Sequence, residues 1–237
     1  MKRRTRLEAP LPSRERGGGE GGHATTPSPR PSPARGEGEG GPRTAVLALH
    51  YQNEVLHPDG RIRVGLAADD PARERVVDAA RRLLAGARAR SLPILHVRIA
   101  FRPDYADCPR NTPIFRKTVA LGAVKEGEWG SAFLDPLAPL DSPLEFVVTH
   151  TRISAFAGTS LEQTLRLLDA RHLIVAGVAT HSVVENTVRD AADRGYEITV
   201  AADACAAASP SVHEGALNGM ALIASITDVD GAWAALP

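Results

Sequence analysis

Sulfur is scarce in this chain of 237 residues, which has two cysteines, Cys108 and Cys205, and two methionines. Two cysteines build no disulfide framework and carry no paired metal-ligand spacing, so a disulfide-stapled secreted fold and a zinc-ribbon module are both excluded. Net charge is missing too, because 28 Lys and Arg balance 28 Asp and Glu. Electrostatic nucleic-acid binding needs clustered cations that neutralise phosphates, and no such cluster stands outside the N-terminal tail. No run approaches the roughly 18 consecutive apolar residues of a membrane-spanning helix. A reducing, cytoplasmic setting is the expectation, with no nucleic-acid or membrane partner and no cofactor.

Residues 1–42 lack aromatic side chains altogether and hold 9 of the 21 glycines and 7 of the 18 prolines. So little apolar surface cannot offset the entropy of ordering a backbone, and a disordered low-complexity extension is expected there. Met1-Lys2-Arg3-Arg4 opens with positive charge, but the apolar run of roughly 7–15 residues that a secretory signal requires does not follow. Residues 43–237 carry all ten aromatics and the long aliphatic runs, and have the size of one domain with a substantial core.

Within that domain, short apolar runs alternate with helical periodicities. Strands are expected at Thr44 to Leu49, Pro93 to Ile99, Leu144 to Thr149, His172 to Val178 and Tyr196 to Ala201. Helices are expected at Pro71 to Arg90, with Asp70 as N-cap, and at Ser160 to Ala170, Ser182 to Arg194 and Ser211 to Ile226, the last started by Ser209 and Pro210. Residues 101–143 read as a loop long enough to be a lid or an oligomer contact. The alternation implies an α/β fold, a Rossmann-like parallel sheet with helices on both faces.

Ligands of such sheets gather beyond the carboxyl ends of the strands. That rule brings His50, His150 and the turn Thr180-His181-Ser182-Val183 to one side. A helix starting at this turn would offer free N–H groups, with Ala179 and Val183 as the backbone donors to an anion or oxyanion. Three imidazoles at strand ends raise the thought of zinc, but no local ligand spacing supports it and no metal is expected. Arg152 is expected to pair with a carboxylate, Trp129 to reach the site from the long loop, and Gln52 and Asn53 to orient the end of the first strand. Cys205 reads as a small buried apolar residue, His57 as a turn residue, His96 as packed, and His213 as facing the loop side.

The stretches Ala45-Val-Leu-Ala-Leu-His-Tyr-Gln-Asn53, Gly127-Glu-Trp-Gly130, His150-Thr-Arg-Ile-Ser-Ala-Phe-Ala-Gly-Thr159, Gly177-Val-Ala-Thr-His-Ser-Val-Val-Glu-Asn-Thr187, Arg189 to Tyr196 and Ala202-Asp-Ala204 together resemble the isochorismatase-like, or cysteine hydrolase, superfamily. The resemblance implies a Rossmann-like domain over residues 43–237, a homo-oligomer, and hydrolysis of small amides, ureas or a vinyl ether. It also implies an Asp, Lys and Cys triad, whose places align with His50, His150 and Val183. All three depart from the family pattern. Valine has no lone pair, so covalent catalysis at position 183 is closed. Ser182, one residue away, points elsewhere along the turn. Exchanging Asp and Lys together for imidazoles removes a charge pair without stranding either member. The expectation is a degenerate hydrolase that keeps a small-molecule pocket, built also from Gln52, Trp129, Arg152, Thr180 and His181, and is non-catalytic. The alternative is a cysteine-independent hydrolase with His50 and His150 as acid and base.

Overall fold

A strand covered on both faces needs apolar residues without alternation, and Ala45 to Leu49 meet that need, every one of them fully buried. They form β1 (Arg43–Leu49) at the centre of a sheet in the computed structural model, which describes residues 43–63 and 65–236. The extension expected at residues 1–42 lies outside the described residues. Burying Leu47 and Leu49 stabilises the fold by about 2 kcal/mol each before entropy is counted.

The other strands are β2 (Ile94–Ile99), β3 (Glu145–His150), β4 (Ala170–Gly177), β5 (Glu197–Ala201) and β6 (Ser225–Thr227). All pair in parallel, in the order β3-β2-β1-β4-β5-β6. The chain winds outward one way from β1 and then the other way from β4. The cleft between these two strands is therefore the switch point where this architecture binds ligands. Helices cover both faces, as the unbroken aliphatic runs require: α1 (Asn53–Leu56), α2 (Ala72–Ala89), α3 (Pro113–Leu121), α4 (Leu161–Leu167), α5 (Glu185–Asp193), α6 (Pro210–Met220) and α7 (Val229–Ala234). Among the described residues no helix is long and apolar enough to cross a membrane.

Local chemistry sets the ends. The Asp70 carboxylate accepts the Ala72 N–H at 2.8 Å, and Ser209 accepts the Val212 N–H one turn into α6. Gly122 closes α3 in the left-handed region, at φ 62°. Three expectations need correction. The helix expected to Ala170 stops at Leu167, and Ala170 already pairs in β4. The helix expected to Ile226 stops at Met220. The β-branched residues after it find an open sheet edge, Ile226 beside Val200 and Thr227 beside Ala201, and pairing overrides helical continuation. Finally, the 101–143 connector is not plain loop, since it holds α3 and the 3-10 turns Trp129–Ser131 and Asp135–Leu137.

Candidate functional site

His50 is the first residue past β1 and lies in the left-handed region at φ 56°, while its N–H donates to the Val97 carbonyl at 2.8 Å. His150 is the last residue of β3. The two rings meet with Nε2 to Nε2 2.5 Å apart, at 9% and 2% exposure. The Nδ1 of His150 lies 3.3 Å from the Ser154 carbonyl. A carbonyl only accepts, so that nitrogen carries the proton, and a neutral ring then has its lone pair on Nε2. His50 must therefore donate from Nε2, which leaves its own lone pair on Nδ1. Burial holds both rings neutral: it drives His50 well below the ordinary imidazole value, with His150 adding to the effect, and brings His150 down to about 4 against the pull of Ser154.

The segment after β1 is anchored by side chains. Gln52 is fully buried; its Oε1 accepts the Ile99 N–H at 2.8 Å and its Nε2 donates to Ile99 and Ser131 carbonyls at 2.9 Å each. Asn53 donates to the Trp129 carbonyl, and the Tyr51 hydroxyl to the Ala204 carbonyl at 2.7 Å. Gln52 is thus a brace and does not line the cavity, so its amide has nothing left for a ligand.

Beyond β4 the Val178–Ala179 peptide is cis, and a π-helical turn, Thr180–Val184, precedes α5. The expected row of free N–H groups is only partly there. Thr180 N–H donates to Ala206, and Ser182 and Val184 N–H donate to the Ala179 carbonyl, because the wider turn brings that carbonyl back over the helix start. The Ala179 N–H makes no hydrogen bond among the described residues. Val183, at 1% exposure, points its methyls into the core. Thr180 is also buried and shares a 2.8 Å hydrogen bond with His213, and His181 keeps a buried, unpartnered Nδ1. Neither lines the cavity.

That cavity measures about 40 Å³ and opens among His50, Ile62, Phe115, Arg152, Val178 and Ser182. A water needs roughly 10–15 Å³ on this measure, so the enclosed part takes only the end of a ligand, and the rest of one would lie outward along the exposed Arg152. Of the residues expected at the site, the structure brings His50, Ala179 and Arg152 to the cavity, with His150 behind His50. Trp129 stays away, half exposed and edge-on to His57 at 5.1 Å between ring centroids. Sequence reasoning missed Ile62, Ile99 and Thr118. Only Ile99, at the carboxyl end of β2, carried a signal, that of its place on the strand. Ser182, expected to point elsewhere along the turn, lines the cavity instead, though its hydroxyl bonds to neither imidazole.

Cys205 is buried, its Sγ beside the Ala201 carbonyl, and burial pushes its thiol up to about 12. Two nitrogens bound to one tetrahedral zinc stand about 3.3 Å apart, farther than the His50 and His150 nitrogens do. Among the described residues no three His, Cys, Asp or Glu side chains form a metal-binding group.

This arrangement has relatives. Residues 44–231 match the isochorismatase domain. The ureidoacrylate amidohydrolase RutB of Methylorubrum extorquens is 30% identical across 75% of this chain and 75% of its own. An isochorismatase family protein from Desulfovibrio vulgaris superposes with a TM-score of 0.71 at 28% identity, over 81% of this chain and 96% of that one. N-carbamoylsarcosine amidase from Thermoplasma acidophilum superposes with a TM-score of 0.63 at 25% identity, over 79% and 97%. A match over most of the folded chain, on a sheet of the same class, leaves one conclusion: the chain belongs to the isochorismatase family of hydrolases.

Proposed function

We propose that the protein is a degenerate member of this hydrolase family, which keeps a small-molecule pocket at the switch point of the sheet and no longer performs the family's thiol chemistry. One observation carries the reading: Val183, which the motif resemblance sets at the nucleophile's place, is buried and has no lone pair. The neutral imidazole pair agrees with it, because a site without a thiolate has no use for a charged pair. The ligand is a small amide or ureido compound, as the names of the amidohydrolase and amidase relatives suggest. An acidic end would meet Arg152, whose Nε and Nη2 make no hydrogen bond among the described residues while Nη1 is held by Thr151 and Asp107. The same reading takes the protein as a cytoplasmic homo-oligomer without nucleic-acid or membrane partners.

A second reading rests on a different observation, the lone pair left on His50 Nδ1 at the cavity. A water attacking an amide carbonyl would give its proton to that nitrogen, and the Nε2 proton of the same ring would pass to Nε2 of His150. This is hydrolysis without cysteine.

One panel separates the readings. Small amides, ureido acids and enol ethers are tested for turnover and for a rise in melting temperature, with and without iodoacetamide. Binding without turnover is expected. Turnover that survives alkylation and disappears in His50→Ala would establish the second reading. Turnover abolished by alkylation would overturn both.

A further inference from the structure

The loop after β3 is fastened to α5 at two points. Ser154 Oγ donates to Asp190 Oδ2 at 2.5 Å and accepts the Phe156 N–H at 3.2 Å. Thr187 Oγ1 accepts the Ala155 N–H at 3.1 Å. Asp190 is itself held by Arg194, at 2.6 Å to its other oxygen, and the Arg194 guanidinium lies over the Phe156 ring at 4.7 Å. The residue so clamped is the one whose carbonyl receives the His150 Nδ1 proton.

A chain of hydrogen bonds with a fixed end has a fixed direction. Were the Ser154 carbonyl to swing away, His150 would lose its reason to keep the proton on Nδ1. The Nε2 to Nε2 contact can be made equally well with either ring as donor, so the pair alone has no preferred sense. The preference comes from outside it. We infer that Asp190, on α5 and not lining the cavity, is a positioning residue: by anchoring Ser154 it sets the tautomers of His150 and His50 and directs the basic lone pair to His50 Nδ1. This rests on the reading of the imidazole pair as the centre of the site, and is independent of whether that centre turns anything over.

The test is a measurement of tautomers, by two-bond 1H–15N correlation of the histidine rings at pH 7 in the intact protein. In the unmodified chain His150 Nδ1 and His50 Nε2 should resonate as protonated nitrogens, and His150 Nε2 and His50 Nδ1 as lone-pair nitrogens. In Asp190→Ala the four signals should move toward common averaged values, and Asp190→Asn, which keeps an oxygen for Ser154 Oγ, should restore the pattern. Ser154→Ala removes the same link from the other side and should average the signals too, so it decides the matter if Asp190→Ala does not fold. Arg194→Gln breaks the ion pair and spares the link, and should leave the pattern unchanged. The inference falls if the tautomers are reversed in the unmodified chain, if they persist in Ser154→Ala, or if Arg194→Gln averages them as strongly. A failure here leaves ligand binding by the cavity untouched, and that is read separately from the melting temperature.

Discussion

His96 donates to Glu145 across 2.9 Å of sealed interior, yet the contact is no ion pair. Burial lowers the His96 pKa in spite of the carboxylate, so the ring is neutral, with Nε2–H on Glu145 and an unpartnered lone pair on Nδ1. Burial alone would raise the pKa of Glu145, but hydrogen bonds from Arg88, the Leu140 N–H and His96 hold it at about 2.

A pH dependence follows, with its sign. His50, His96 and His150 are all lowered in the folded protein, so the unfolded chain binds protons that the folded one refuses. Their contribution to stability is present above pH 6.5 and is lost as pH falls toward 4. His150 alone accounts for on the order of 3 kcal/mol over that interval. Glu145 enters only below its unfolded value near 4.5 and pushes the same way. Urea midpoints should therefore drop steeply between pH 6.5 and 4.5; a flat profile in this interval would contradict neutral, buried rings.

Gln52 offers a sharper stability test. Its amide exchanges two hydrogen bonds with Ile99 as a backbone neighbour would, and spends the remaining N–H on Ser131. Gln52→Leu strands three backbone groups, the Ser131 carbonyl buried and the Ile99 N–H and carbonyl half-buried, and should cost on the order of 3 kcal/mol in urea unfolding. A loss below about 1 kcal/mol would mean that water replaces the brace.

Both thiols should resist alkylation. Burial raises Cys108 and brings Cys205 to about 12, and both residues are buried. Intact-mass spectra of native protein after iodoacetamide should show little adduct, and two adducts after unfolding in urea. Fast native labelling at Cys205 would require an opening the packing does not show.

Val183→Cys tests the nucleophile position that the proposed function assumes. The change nearly conserves volume and should shift stability by less than about 1.5 kcal/mol. Alone, a thiol buried in the core with only neutral imidazoles at the site should give no hydrolysis. Combined with His50→Asp and His150→Lys, it should bring iodoacetamide-sensitive turnover of a small amide; an inactive but folded triple variant would mean that the pocket has also lost its shape.

How much of this was legible beforehand depends on the range of the interaction concerned. The strand of Ala45 to Leu49 announced itself through an unbroken aliphatic run, and the carboxyl-end rule gathered His50 and His150 to one side. The brace at Gln52 was half visible: its place after β1 suggested an orienting role, but whether an amide serves a ligand or a backbone is decided by residues 99 and 131, far along the chain. β6 was hidden for a related reason. Ser225 and Ile226 read as the tail of a helix until β5 offers an edge. Thr180 looked like a ligand contact because it follows a strand, and only the placement of His213 shows where its hydroxyl goes.

The phenol of Tyr51 reaches a carbonyl 153 positions further on, from the rim of the central strand to the turn beyond the fifth. No local collapse can make that bond, because β4 must already lie between its two ends and β5 must be docked. A fluorine label on this one ring, read by 19F NMR, would therefore clock the closing of the sheet, and its native signal should lag the appearance of helical signal whenever the chain is refolded from urea.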